Sequence, residues 1–292
     1  MHSSVIVPTY EQPRELGMAL AGLSRQRVLP GEVVIADDGS GPETRALVER
    51  WRPHFRCPLV HVWQPDEGYR KARCVNRAVR RSGGEHLIFI DGDTFPDRNW
   101  VADHLAERHR GGLLCGRRVK LGPLISDLVG EEEILAGAFD RPLVRLLRTR
   151  LRRDVKRLNL GVRLPAALAR AVHRRRKRIL GVNFSLPRVD FERVNGLHEA
   201  WECYGNEDYD LQYRLERAGV ESIPLLNRAV VFHLWHEERV RDAASQALLK
   251  RCQASGEIRC KPGLDAPHHD RDEREVEPIR PSARLAASSA LR

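Results

Sequence analysis

The stretch "LIFIDGDTFPD", residues 87–97, ends a greasy run with two carboxylates one residue apart, Asp91 and Asp93. Leu87, Ile88, Phe89 and Ile90 are apolar enough for a strand buried on both faces. Carboxylates are hard oxygen donors of the kind Mg2+ and Mn2+ take, so a bound cation is one reason for a buried strand to end in such a pair. A calcium loop is excluded. The sixth position of "DGDTFPDRNWVA" is Pro96, where glycine must turn the chain, and the twelfth is Ala102, where a bidentate glutamate is required. Helix capping is the remaining alternative, and it suits Asp97, beside a helix expected to begin near Pro96, better than Asp91.

The elements that carry these acids follow a rhythm. Apolar, β-branched runs centre on Val5, Val33, Val60 and Leu87, which lie 28, 27 and 27 residues apart. Helix-spaced stretches such as "PRELGMALAGLSRQ" and "PETRALVERW" separate them. The spacing predicts a βαβαβαβ order and an α/β, doubly wound, mainly parallel sheet. Ligands in such sheets sit beyond the carboxyl ends of the strands, where the strand order reverses. The positions to read are therefore Pro8, Thr9 and Tyr10, then Asp37 and Asp38, then Gln64, Asp66 and Gly68, then Asp91 and Asp93. Downstream, "RNWVADHLAERHR" reads as a helix, "GGLLCGRRVKL" and "VVFHLWHEE" as strands, and the residues from about Ser255 as a disordered tail.

With 31% charged and 41% hydrophobic residues, the 292-residue chain has a globular composition and length enough for a sizeable core. No run of 18 apolar residues occurs, and "MHSSVIVPTY" lacks the pattern of a signal peptide. The expected location is the cytoplasm, with the inner face of the membrane as a peripheral site. The six cysteines are scattered without a Cys-x-x-Cys pair, which suits neither a zinc knuckle nor a disulfide scaffold. A net charge of +10 implies an anionic partner. That charge is concentrated: residues 141–178 hold fifteen Arg or Lys and one acid, Asp154.

Seven motifs, in order "VIVPTYEQ", "VVIADDGS", "DEGYRKARCVNRAV", "IFIDGDTFPD", "GVNFSLPRVDFERVNGLHE", "YGNEDYDLQYRLERAG" and "FHLWHEE", resemble those of family 2 glycosyltransferases of the GT-A fold with a galactosyltransferase-like C-terminal half. The resemblance implies a nucleotide-sugar-binding half over residues 1–120, a basic helical insert over 121–180, an acceptor half over 181–253 and a tail over 254–292. It implies that Asp91 and Asp93 hold a divalent metal, Mn2+ or Mg2+, and through it the diphosphate of a nucleotide-sugar donor, a UDP-sugar in the usual case. His233 or His236 would complete the metal shell. Asp38, with Asp37 as the alternative, would accept a hydrogen bond from the base in a pocket lined by Pro8, Tyr10 and Gly68. A helix starting near Tyr69 would direct its N-terminal amides and the cations Arg70, Lys71 and Arg73 toward phosphate, Arg73 foremost because it lies one turn in from the start. Asp208 would be the general base of an inverting transfer and Glu207 would orient the acceptor, a hydroxyl of a cell-surface glycan, lipopolysaccharide or lipid-linked intermediate. The sequence departs from the family pattern at Asn206, which replaces a glycine and is expected to place a side chain beside the acceptor pocket.

In the basic stretch, apolar residues at 143, 144, 146, 147, 151, 155 and 158 keep near-helical spacing between cations, the pattern of an amphipathic helix lying on an anionic membrane. Nucleic-acid binding is the weaker reading, since no reading module is present and few aromatics interleave the cations. A dehydrogenase is disfavoured because "VPTYEQPRE" has no Gly-x-Gly-x-x-Gly after the first strand. The remaining rival is a non-catalytic basic binding protein on a degenerate transferase fold.

Overall fold

The four regularly spaced runs become strands β1 (Ser3–Thr9), β2 (Glu32–Asp37), β3 (Leu59–Trp63) and β4 (His86–Phe89) in the computed structural model, which describes residues 2–140, 154–237 and 243–267. Between them lie α1 (Pro13–Ser24), α2 (Pro42–Trp51) and α3 (Lys71–Arg81). α1 and α2 each open on proline, whose fixed φ and missing N–H suit a first helical turn. The strands pair in parallel, Val5 beside Val33 and Ile88, and Val33 beside Leu59. Successive strand residues point to opposite faces. Val5 and Val7 therefore join one apolar layer with Leu16, Leu20 and Leu23 of α1, while Ile6 joins a second with Val75 and Val79 of α3. That is the doubly wound arrangement the sequence predicts.

The chain continues through β5 (Thr94–Pro96), α4 (Trp100–Glu107), β6 (Leu113–Cys115), β7 (Arg118–Leu121), α5 (Pro123–Leu128), α6 (Glu131–Leu135), β8 (Val155–Lys156) and α7 (Ala166–Val172). It ends with β9 (Phe184–Pro187), α8 (Arg188–Arg193), α9 (Glu207–Arg217), β10 (Ser222–Pro224), β11 (Val231–His233) and α10 (Ala243–Ser255). The main sheet has the order β10-β6-β9-β4-β1-β2-β3, with β9 antiparallel to both neighbours, and a smaller sheet has the order β5-β11-β7-β8. Strand order reverses between β1 and β4, which opens a crevice beyond their carboxyl ends.

Several boundaries differ from the sequence reading. The single strand expected over "GGLLCGRRVKL" is two, β6 in the main sheet and β7 in the smaller one. The chain crosses between them at Gly116, where a Cβ would fall 2.3 Å from the Asn183 amide. The helix expected near Pro96 begins at Trp100, because Phe95 and Pro96 pair with β11 instead. Asp97 does support the turn that leads into it, accepting the Asn99 backbone N–H at 2.8 Å.

In the basic insert, Val155 lies in β8 and Leu158 in a 3-10 turn, so the expected amphipathic helix does not reach them. Its other apolar residues, 143 to 151, lie outside the described residues. The expected tail is also ordered at its start: Cys260 is buried, Asn195 Nδ2 donates to Cys260 O at 2.8 Å, and Arg80 donates to Leu264 O at 2.7 Å. These partners are far away in sequence, so a polar composition gave no sign of them.

The insert is tied to the core by a buried acid. Asp103 of α4 is 0% exposed, accepts both Nε and Nη2 of Arg163 at 3.0 and 2.6 Å, pairs with Arg228 and caps the Ala229 N–H at 2.9 Å. Replacing Asp103 with Ala strands two guanidinium groups and an amide. Loss of one partner of a buried pair costs about 3–5 kcal/mol, and Asp103→Ala is expected to lose that much in urea unfolding. A loss under about 1 kcal/mol, the scale of a surface pair, would contradict the role.

Asn183 holds the crossing between the two sheets. Its Nδ2 donates to Arg117 O and Ala229 O, and its Oδ1 accepts Trp100 Nε1 at 3.0 Å. Burial pushes the His104 imidazole down to about 3, so it is neutral. Its Nε2 lies 3.1 Å from the Asn183 acceptor oxygen, so Nε2 carries the proton and Nδ1 accepts from the Ser185 hydroxyl at 2.8 Å. Neighbouring β7 and β11 carry cleft residues, so this network helps set the site.

Candidate active site

The crevice at the β1 and β4 ends is lined by Pro8, Thr9 and Tyr10 from the first strand and by Asp91, Gly92 and Asp93 from the fourth. Gly92 donates its N–H to Pro8 O at 3.0 Å, and a Cβ there would sit 2.9 Å from the same oxygen. The two strand ends are thus brought into backbone contact. Asp38 and Gly68 also line the cleft. Asp38 Oδ1 accepts Gln64 Nε2 at 2.6 Å and Oδ2 accepts the Arg70 N–H at 2.8 Å. Burial raises its pKa, and those two bonds pull against the rise. Gly68 has φ of +87°, a conformation that favours glycine. Tyr10 is exposed on the rim, its hydroxyl donating to Asp66 at 2.9 Å.

Two expected donor residues lie elsewhere. Asp37 is fully buried away from the cleft, where its Oδ1 accepts the Ser40 N–H at 2.8 Å and its Oδ2 lies 2.8 Å from His61 Nε2. It shapes the turn after β2. Arg73 does not line the cleft and Lys71 does. The reason is the helix start: α3 begins at Lys71 and not Tyr69, and two residues turn a helix by about 200°.

Asp91 and Asp93 part company. Residues 91–94 form a turn in which the Thr94 N–H donates to Asp91 O at 3.1 Å, so the two carboxylates do not project side by side as they would along a strand. Asp91 Oδ1 pairs with Lys71 Nζ at 2.9 Å. Asp93 Oδ2 faces His233 Nε2 at 3.4 Å and His236 Nε2 at 3.5 Å, and ligand atoms of these three residues all lie within 4.8 Å of one another. Both histidines therefore group with Asp93 at ligand distance, and Asp91 stands beside the group.

The donor chemistry of the trio fits a divalent cation. Burial opposes charge on Asp93, yet His233, His236 and the Thr94 hydroxyl hold its pKa below the ordinary value. Burial also pushes His233 down, with Asp93 pulling the other way, which favours the neutral imidazole that coordinates metals. His236 Nδ1 lies 2.7 Å from Glu237 O. A carbonyl only accepts, so Nδ1 holds the proton and the Nε2 lone pair faces Asp93, a support usual for ligating histidines.

Beside the cleft residues Lys71 and Asp91, α9 starts with Glu207 and Asp208, which do not themselves line the cleft. Asp208 Oδ1 accepts the Tyr209 N–H at 2.8 Å and Oδ2 the Gly181 N–H at 3.1 Å. A Cβ on Gly181 would lie 3.7 Å from Lys71 Nζ, 3.8 Å from Asp91 Oδ2 and 3.9 Å from Asp208 Oδ2, so these three groups meet around its bare Cα. Burial, then the Glu207 charge, push the Asp208 carboxyl up to about 7. Lys71 also reaches Glu207 Oε1 at 3.5 Å. Burial works against its charge, but Asp91 and Glu207 hold it well above the ordinary lysine range, so it is a fixed cation.

Asn206 does not crowd the acceptor pocket as expected. It takes φ of +74° and is 3% exposed, with Nδ2 donating to Ser245 Oγ at 2.9 Å on α10. Asparagine tolerates the left-handed turn that glycine would also make, and its side chain is spent on α10.

Sequence reasoning undervalued Lys71 and missed Arg118 and Tyr204, which also line the cleft. Arg118 is on β7, in register with Val231 of β11, and Tyr204 meets Tyr69 edge-on at 6.3 Å. Only the strand pairing and loop packing bring them in; a position three residues past Gly68 was the one available hint, for Lys71. A charged hydrogen bond is worth about 1.5–3 kcal/mol. Lys71→Met, which removes such a bond to Asp91 and a contact to Glu207, is expected to lower kcat/KM about 10–100-fold in steady-state kinetics. Unchanged kinetics would remove Lys71 from the site.

Residues 4–154 match Glycosyl transferase family 2, and residues 166–237 match the N-terminal domain of galactosyltransferase. The validoxylamine A glucosyltransferase of Streptomyces hygroscopicus subsp. limoneus is 31% identical over 237 residues, covering 74% of this chain and 48% of that one. The chain thus spans about half the length of that relative. Two solved structures share the fold. Staphylococcus aureus TarS 1–349 in complex with UDP-GlcNAc has a TM-score of 0.59 at 18% identity, over 90% of this chain and 68% of that one. The Pyrobaculum calidifontis mannosyltransferase PcManGT in complex with GDP-Man and Mn2+ has a TM-score of 0.52 at 19% identity, over 81% of this chain and 58% of that one. With a family match over more than half its length and a cleft at the reversal of strand order, the chain has the GT-A fold and belongs to glycosyl transferase family 2.

Proposed function

We propose that the protein is a divalent-metal-dependent, inverting glycosyltransferase that moves a sugar from a UDP-linked donor to a hydroxyl of a surface glycan, lipopolysaccharide or lipid-linked acceptor. The observation that carries this reading is a carboxylate and imidazole cation site in the cleft, Asp93, His233 and His236, with a half-buried carboxyl next to the cleft residues Lys71 and Asp91, that of Asp208, raised to about 7. Asp93 and the two histidines hold the ion, which when bound offsets the charge of the departing diphosphate. Two imidazoles beside one carboxylate favour Mn2+ over Mg2+. Lys71 and Arg118 add fixed positive charge at the cleft wall. Asp38 and the Tyr10 ring contact the base. Asp208 takes the acceptor's hydroxyl proton on the side away from the leaving group, the geometry of an in-line displacement with inversion. Glu207 helps hold Lys71 and orients the acceptor.

UDP is favoured because the TarS structures hold UDP and UDP-GlcNAc; PcManGT, with GDP-Man, is the reason to test the other base. Calorimetry of UDP and GDP with and without Mn2+ is the experiment. UDP binding that strengthens with Mn2+ and exceeds GDP binding is the expected result. Tighter GDP binding overturns the uridine assignment, and no binding of either nucleotide overturns the reading as a whole.

A peripheral seat on the inner face of the cytoplasmic membrane belongs to the same proposal. Arg174, Arg175, Arg176 and Arg178 are exposed, and each cation near an anionic surface contributes about 1 kcal/mol. The stretch has less free charge than its composition suggests, since Arg163, Arg170 and Arg176 already pair with Asp103, Glu107 and Glu221. Co-sedimentation with phosphatidylserine vesicles at low salt is expected, and its absence overturns the membrane seat.

A further inference from the structure

Away from the cleft, three residues distant in sequence come together: His198 in the segment before α9, Asp210 in the first turn of α9 and Cys252 on α10. Their ligand atoms all lie within 4.8 Å of one another, and none of the three lines the cleft.

The three are oriented as ligands. Asp210 is 1% exposed; its Oδ2 pairs with Arg214 at 2.9 Å, while its buried Oδ1 has no hydrogen-bond partner. A carboxyl oxygen left in this way is costly to bury. His198 Nε2 lies 3.1 Å from Lys261 O, which can only accept, so Nε2 carries the proton and the Nδ1 lone pair faces Cys252 Sγ at 3.5 Å. Donation from the distal ring nitrogen to a carbonyl is the usual support of a metal-bound histidine. A tetrahedral zinc ion, with Zn–N of about 2.0 Å and Zn–S of about 2.3 Å, sets nitrogen and sulfur about 3.5 Å apart. His198 and Cys252 are only partly buried, which leaves an entry path.

We propose that His198 Nδ1, Asp210 Oδ1 and Cys252 Sγ form a zinc site, with water in the fourth position, that fastens α10 and the segment around His198 to α9. Thiolate, imidazole and carboxylate together select Zn2+ over the harder ions suited to the cleft. Binding exchanges the thiol proton for the metal, and the proton leaves to solvent. Two further bonds already run along the same seam, Asn206 Nδ2 to Ser245 Oγ and Tyr213 Oη to Gln253 O at 2.8 Å. The site therefore secures the helix whose first turn carries Glu207 and Asp208, without touching the reacting groups. It stands independently of the glycosyltransferase proposal.

The full chain, stripped of metal with a chelator, is titrated with Co2+ and then Zn2+ and followed by absorption. The expected result is a sulfur-to-cobalt charge-transfer band with tetrahedral visible bands that saturates at one Co2+ per chain in Asp93→Ala, whose cleft trio is broken, and is displaced there by one Zn2+. Cys252→Ser loses the charge-transfer band, His198→Gln weakens Zn2+ binding at least about tenfold through loss of one ligand, and Asp93→Ala keeps the band. In the Asp93→Ala background, which lacks the cleft trio's carboxylate, zinc also raises the Tm, and adding Cys252→Ser to that background removes the rise. No charge-transfer band in the wild type, or one that persists in Cys252→Ser, overturns the site. A Tm of Asp93→Ala unmoved by bound zinc overturns its fastening role.

Discussion

Asp208→Asn lowers kcat by about 10²–10⁴-fold, the usual worth of a positioned general base, while calorimetric UDP binding stays close to that of the wild type. Asparagine keeps the size of the side chain, and its oxygen can still accept one of the Gly181 and Tyr209 N–H groups, so only one local hydrogen bond is given up. It cannot take a proton. The pH profile supplies the sharper reading. Burial and the neighbouring Glu207 charge raise the Asp208 pKa to about 7, so the carboxyl is protonated and inactive as a base below that pH and ionised above it. In the wild type, kcat/KM is expected to rise with pH through about 7. The acidic limb should vanish in Asp208→Asn. Because Glu207 contributes to the rise, Glu207→Gln should shift the limb to lower pH. Substantial activity in Asp208→Asn with the limb intact would assign the proton transfer to another group.

Asp93→Ala abolishes the Mn2+-dependent part of UDP binding and lowers kcat/KM by about 10²–10⁴-fold, since metal stabilisation of a departing phosphate is worth several kcal/mol. Asp93 is the carboxylate shared between the two histidines. Without it, two imidazoles remain with no anionic ligand between them. Asp91→Asn makes the contrast. Asp91 Oδ1 is engaged with Lys71, so this change should weaken the cationic wall and yet leave UDP binding responsive to Mn2+. The pair of variants separates a shared role for the two acids from the divided one that the turn at residues 91–94 imposes. Mn2+-responsive UDP binding in Asp93→Ala would remove the ion from this trio, and loss of that response in Asp91→Asn would restore the shared role.

The doubly wound sheet was legible in the amino-acid order because its causes are local. Runs such as "VVIAD" and "LIFI" are too apolar to leave either face in water, and their even separation leaves room for one helix at each crossover. The addresses of Pro8, Tyr10, Asp38, Gly68 and Asp93 followed, since the carboxyl ends of parallel strands share one edge. What each side chain does there depended on contacts made at long range. Asp91 and Asp93 are divided by a turn that the spacing does not encode. Lys71 replaces Arg73 because the loop after Gly68 delays the helix by two residues, and Asp37 turns inward to His61 of the next strand. Asn206, read as an intruder in the acceptor pocket, is bonded to a helix almost forty residues later. The basic insert and the segment around Cys260 acquire order from Asp103, Asn195 and Arg80. Periodicity and strand-end chemistry are properties of neighbouring residues, so the sequence displays them. A carboxylate's partner is set by whichever donor the packed chain brings within about 3 Å, and only the tertiary structure determines that.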